Sequence, residues 1–127
     1  MNGTAEMIVV EQQGDTLILM PKCDLRELEY QEIEREAEAV LGRLAADGSI
    51  RNVVVVFSKT DYFGSTALGL LVRLRHEVRG RNGRMALCNI STHEKDIFEV
   101  TGTDALWPIF PSREEAIAAV TGCVRAA

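Results

Sequence analysis

The sequence predicts an α/β fold: a single domain with a mixed, mostly parallel sheet, an N-terminal β-hairpin and about four helices. Three observations predict it. From residue 29 onward, apolar runs of strand length alternate with amphipathic stretches of helix length, the order that joins parallel strands through crossover helices. Within that alternation NVVVVF (52–57) shows no polar–apolar period, as a strand covered on both faces requires. Ahead of it, MIVVEQQGDTLILM (7–20) reads as two short strands around Gly14-Asp15, a hairpin signal.

The elements follow in order. Pro21 ends the second hairpin strand, because proline has no N–H to give to a ladder. Residues 29–46 form the clearest helix: Tyr30, Ile33, Ala37, Val40, Leu41 and Leu44 make one apolar stripe, and Glu32, Glu34, Arg35, Glu36 and Glu38 make a solvated acidic face. After the 52–57 strand, residues 65–79 predict a helix that stops near Gly80. RMALCNI (84–90) is a second buried strand, expected beside the first in the middle of the sheet. STHEKDIFEVTG (91–102) pairs Ser91 with Glu94 in a capping box and stops on Gly102. WPIF (107–110) gives a short last strand. SREEAIAAVTGCV (112–124) repeats the capping-box spacing with Ser112 and Glu115 and sets Ile117, Val120 and Val124 on one face. No linker or repeat interrupts this pattern, so residues 1–5 are expected to be a flexible N-terminus and residues 6–124 one domain.

Composition narrows the function. The chain of 127 residues is 46% hydrophobic and 26% charged, enough to bury a core. A net charge of −5 argues against nucleic acid as a partner. The arginines of RLRHEVRGRNGR (73–84) read as a solvated helix end, where cations suit the negative terminus. No apolar run approaches the roughly 20 residues that span a bilayer, and no signal sequence opens the chain, so a cytoplasmic protein without a membrane partner is expected. Cys23, Cys88 and Cys123 are odd in number and lack metal-ligand spacing, as reduced thiols would be. Cys88, His93 and Asp96 could be imagined as a thiol site, but Cys88 lies in a buried-strand pattern and reads as inert. No phosphate loop or dinucleotide fingerprint is present, and neither a cofactor nor enzymatic activity is predicted.

The informative stretch is TDYFGSTALGLL (60–71), where a buried strand leads through Gly64 into a helix that opens on Ser65 and Thr66. At about 100° per residue, Ala67, Leu70, Leu71, Leu74 and Val78 form the core stripe of that helix. Ser65, Gly69, Val72 and His76 point away from it, with Leu68 beside them, and Thr66 lies to one side. Ser65 is thus expected at the exposed first turn, its hydroxyl within a small apolar patch, where an ordinary N-cap or a place for a phosphate or a partner would each explain it. Asp24 and Asp61 lie at strand tips at the same end of the sheet, where α/β folds place their sites, and either solvated loop acids or a partner surface would explain them.

On these residues the chain resembles the STAS domain of bacterial anti-sigma-factor antagonists. That family's strand-to-helix signature, usually Asp-Ser-Ser-Gly-Leu-Gly, corresponds here to Gly64-Ser65-Thr66-Ala67-Leu68-Gly69. The tail LCNISTHEKDIFEVTGTDALWPIFPSREEAIAAV (87–120) is the closer match, and the resemblance covers about residues 6–124. It implies a regulatory protein that binds an anti-sigma factor of the serine-kinase type while unphosphorylated and is released by phosphorylation, with a phosphatase as a further partner. The accepting serine maps onto Ser65, with Thr66 at the second hydroxyl, and the partner-binding set would be Asp24, Asp61, Gly64, Leu68, Gly69 and Val72. Gly64 stands where the family has aspartate, Ala67 where it has glycine, and Pro21-Lys22-Cys23-Asp24 keeps only the aspartate of the usual second-strand exit. A STAS scaffold without phosphorylation, or a ligand-sensing module, is the alternative, and the oligomeric state is left open.

Overall fold

We describe residues 7–122 from a computed structural model of the chain. The predicted flexible residues 1–5 and the predicted domain end, with Cys123 and Val124, lie outside the described residues. The elements are β1 (Ile8–Gln13), β2 (Thr16–Pro21), a 3-10 turn (Glu27–Glu29), α1 (Tyr30–Ala46), β3 (Asn52–Val56), α2 (Ser65–Gly80), β4 (Met85–Cys88), α3 (Thr92–Val100), β5 (Ile109–Phe110) and α4 (Arg113–Thr121). The five strands lie in the sheet in chain order, with β1 antiparallel to β2 and every later pair parallel. The predicted mixed sheet, its hairpin and its four helices are all present, and β3 and β4 are central neighbours.

Strand order decides where the helices go. Each parallel connection steps one strand in the same direction, so right-handed crossovers put α1, α2 and α3 on one face. There Val53 and Val55 meet Ile33, Leu44, Leu71, Leu74 and Phe98. The alternate residues Val54 and Val56 face the other side, with Ile18, Ala86 and Cys88 beneath Ala116 and Val120 of α4. Both faces of β3 are therefore covered, which is why its sequence is apolar without alternation.

Of the two predicted capping boxes, one is complete and one is not. Ser91 and Glu94 make the full reciprocal capping box, whereas at α4 Ser112 accepts from the Glu115 amide without a reciprocal bond being formed. Tyr30, assigned to the buried stripe of the first helix, is half exposed in the first turn of α1, while Ile33, Ala37, Val40 and Leu44 are buried as expected. Gly83 is required for space: a Cβ there would lie 1.7 Å from the Arg51 carbonyl oxygen, where the β4 entry crosses that of β3.

Candidate functional site

The loop from β3 to α2 is held at both ends by the core. Phe63 is buried between Phe57 and Phe98, with ring centroids 5.7 and 5.1 Å away, and Phe98 in turn meets Trp107 at 5.7 Å. Phe63 also bridges Leu25 in parallel fashion, and the Gly64 amide donates to the Leu25 carbonyl at 2.8 Å. These contacts fix the backbone of Gly64 as extended, φ −100° and ψ −171°, immediately before the helix begins. Gly64 is thus the N-cap of α2, and Ser65 is its first helical residue. This corrects the assignment of Ser65 as the cap, which came from reading the nearest hydroxyl as the capping group.

The capping oxygen comes from elsewhere in the chain. Glu27, in the 3-10 turn before α1, accepts from the Thr66 amide through Oε1 at 3.0 Å. The same oxygen accepts from Ser65 Oγ at 3.1 Å, and Oε2 accepts from Thr66 Oγ1 at 2.6 Å. The bonds from Thr66, side chain first and then backbone, hold the Glu27 carboxyl below its ordinary value. A carboxylate at a helix N-terminus also faces the positive end of the helix dipole. The approach of Glu27 explains the glycine at position 64: a Cβ there would lie 2.9 Å from Glu27 Oε1 and 3.1 Å from its backbone nitrogen. A side chain at 64 and the Glu27 carboxylate compete for one space.

A second layer steadies the loop. Asp24 Oδ1 accepts from the Asp61 amide at 2.8 Å, so Asp24 closes the loop across the sheet end. Asp61 approaches His93 at 3.5 Å, and its carbonyl accepts from Ser91 Oγ at 3.0 Å. Thr60 Oγ1 donates to Glu94 Oε2 at 2.5 Å, and Glu94 Oε1 accepts from the Ser91 amide at 2.9 Å. Glu94 is fully buried, and burial pushes its carboxyl up against the lowering effect of those bonds. Exits from β2, β3 and β4 thereby meet at one end of the sheet, the end at which parallel α/β folds place their sites.

A sequence profile of the STAS domain matches residues 7–116. The chain belongs to the STAS domain family. It is 33% identical over 85 residues to BtrV of Bordetella bronchiseptica, whose name places it among anti-sigma factor antagonists; the match spans 65% of this chain and 73% of BtrV. An anti-sigma-factor antagonist (STAS) domain protein of Planctomyces limnophilus superposes with a TM-score of 0.76 at 27% identity, covering 90% of this chain and 97% of that one. The unphosphorylated form of the antagonist SpoIIAA shares the fold, with a TM-score of 0.73 at 21% identity over 93% and 99% of the two chains.

On the outer face of this STAS domain Ser65, Gly69, Val72 and His76 are exposed, with Val72 at 42%. Leu68, expected beside them on the surface, is half buried against the main core, and Thr66 is half buried beside Glu27. Asp61 is exposed and Asp24 half buried, so both lie at the rim of this face while Asp24 also carries the loop. Cys88 lies deep on the α4 side, its thiol 3.7 Å from the Val55 carbonyl and pushed up to about 11 by burial. His93 is engaged with Asp61, and both His93 and Asp96 are exposed, so the imagined thiol site does not come together. Among the described residues no group of three His, Cys, Asp or Glu side chains could hold a metal ion, and no helix is long and apolar enough to cross a membrane.

Sequence reasoning missed Glu27, Thr60 and the anchoring role of Phe63. The capping-box spacing exposed Glu94 but not its bond to Thr60. Nothing local signals Glu27, because its partners lie 38 and 39 residues away.

Proposed function

We propose that this STAS domain is a non-enzymatic, cytoplasmic anti-sigma-factor antagonist that binds an anti-sigma factor of the serine-kinase type and is switched at Ser65. The observation that carries the reading is an exposed serine hydroxyl on the first helical residue of α2, at the carboxyl end of β3, in a chain of this family. Ser65 is favoured over Thr66 as acceptor because the Thr66 hydroxyl is half buried and more closely held by Glu27. Gly69 leaves room for a partner beside Ser65, and exposed Val72 gives it apolar surface. Asp24, Asp61 and the exposed part of Leu68 complete the proposed contact face, whereas Gly64, expected among the partner contacts, is buried against Glu27 and shapes that face from behind.

In the transfer, Ser65 Oγ attacks the γ-phosphorus of ATP held by the partner, ADP leaves, and the hydroxyl proton passes to a base on the partner. The product carries about −1.5 to −2 charge where the interface had a neutral hydroxyl. Enclosing that anion against Val72 and Leu68 costs several kcal/mol of binding, on the order of a hundredfold to a thousandfold in affinity. A phosphatase returns the protein to its binding form.

Titration calorimetry against the cognate anti-sigma factor, with ADP or ATP, tests the reading. The unmodified protein and its Thr66→Ala variant should bind with ADP and be released with ATP, whereas Ser65→Ala should bind and resist release. Release of Ser65→Ala but not Thr66→Ala would move the acceptor to Thr66. Binding unaffected by ATP in all three would leave a constitutive scaffold.

A further inference from the structure

Glu27 occupies the place that a phosphate on Ser65 needs. Its Oε1 lies 3.1 Å from Ser65 Oγ and 3.0 Å from the Thr66 amide nitrogen. A phosphoryl group on Ser65 Oγ brings three acceptor oxygens and about −1.5 to −2 charge to that point. It competes for the same amide and meets a carboxylate already there. Glu27 forms no ion pair among the described residues that could neutralise the encounter. The turn that carries it is weakly held: none of its three residues is buried, and no side chain caps it. Its own bonds are those from the Glu29 amide to the Arg26 carbonyl, 2.9 Å, and from the Tyr30 amide to the Glu27 carbonyl, with an exposed Arg26–Glu29 ion pair at 3.6 Å beside them. Leu28, in the middle of the turn, is 89% exposed and adjoins the helix start through its neighbour.

We propose that Glu27 is a latch on α2 that phosphorylation of Ser65 expels, so that the 3-10 turn Glu27–Glu29, with Leu28, takes a different arrangement in the two states of the protein. The latch rests on Ser65 as the modified residue, and it deepens that reading by making the turn part of the switch. In the unmodified protein the carboxylate caps the helix and orders the turn. In the phosphorylated protein the phosphate takes over the Thr66 amide, and Glu27 leaves for water with the turn. Release of the partner then has a second origin besides the phosphate itself: a surface next to Ser65 that no longer has its former shape. Gly64 is the companion of the latch, since a side chain there would close off the approach of Glu27.

The test uses phosphoserine installed at position 65 of the full chain during synthesis, so that no kinase is needed. Amide hydrogen exchange is followed by NMR in this protein, in the unmodified chain, and in unmodified Glu27→Ala and Ser65→Asp. With phosphoserine, exchange at Glu29 and Tyr30 should rise about tenfold or more, as local opening permits, while the Thr66 amide stays protected by its new acceptor. Glu27→Ala should raise exchange at Glu29 and Tyr30 likewise but also expose the Thr66 amide. Ser65→Asp, with one charge, should shift the turn in the same direction by less. Exchange at Glu29 and Tyr30 within about twofold of the unmodified chain, with phosphoserine in place, overturns the latch. That outcome is separate from any failure of a kinase to modify Ser65, which would defeat the proposed function and leave the exchange result standing.

Discussion

At the scale of single residues, Glu94 and Glu27 show one side chain type under opposite influences. Glu94 is fully enclosed, near the charge of Asp24, and burial raises its carboxyl above the ordinary 4.5. A raised carboxyl adds stability below the unfolded value and loses it as pH rises through the folded one. Glutamine keeps the shape and the capping-box acceptor without the charge. Its amide nitrogen can donate to Thr60 Oγ1, freeing that hydroxyl to donate to the Phe57 carbonyl, now 3.4 Å away. Glu94→Gln should therefore melt a few degrees higher than the parent at pH 7.5, and the gap should close as pH falls through the raised folded value toward about 4.5. Thermal melts across that range check it; a parent that is the more stable form at pH 7.5, increasingly so with rising pH, would contradict it. Glu27 works in the other direction: its lowered carboxyl supports the fold above 4.5, and that support is lost as pH falls through its lower folded value.

At the scale of elements, α2 has to serve both the core and the outer surface. Leu74 is fully buried and Val72 is 42% exposed, two residues apart on one helix. Leu74→Ala should cost about 2–5 kcal/mol, and Val72→Lys should stay within about 0.5 kcal/mol. Urea denaturation of the two variants checks both, and a large loss from Val72→Lys would mean that the outer face is packed. This division was legible in the sequence, because a 3.6-residue period fixes which side chains share a face whatever lies opposite them. The strands were legible for the matching reason: the unbroken apolar run of β3 has one economical explanation, a helix layer on each side. The start of α2 was not legible. Ser65 and Thr66 carry the hydroxyls expected of a self-capped helix, and only tertiary structure brings a carboxylate from the turn before α1. Leu68 escaped for a similar reason, since a helical wheel reports direction but not how far the neighbouring core extends.

At the scale of the whole molecule, the sheet is unequally covered. Among the described residues three helices lie on one face, and on the other α4 alone covers Ile18, Val54, Val56, Ala86 and Cys88 through Ala116 and Val120. Local stability follows the amount of apolar packing. Amides of α4 should therefore exchange through openings smaller than global unfolding, at least about tenfold faster than those in the middle of α1 and α2. Native-state hydrogen exchange checks this, and equal protection of all three helices would show that α4 opens only with the whole domain. Ser65 lies on the thicker side, so the proposed switch is built against the firmer half of the protein.

The sheet also has its strands in the order in which a ribosome makes them, β1 to β5. Each new strand as it emerges finds its partner already synthesised at the growing edge, and no earlier strand waits for a distant later one. Each parallel pair closes over a single crossover and nothing longer, the least costly loop closure that a parallel sheet permits. The same order allows assembly to advance with translation: once β4 has emerged, the loop carrying Ser65 already has β3 behind it and the Glu27 turn beside it.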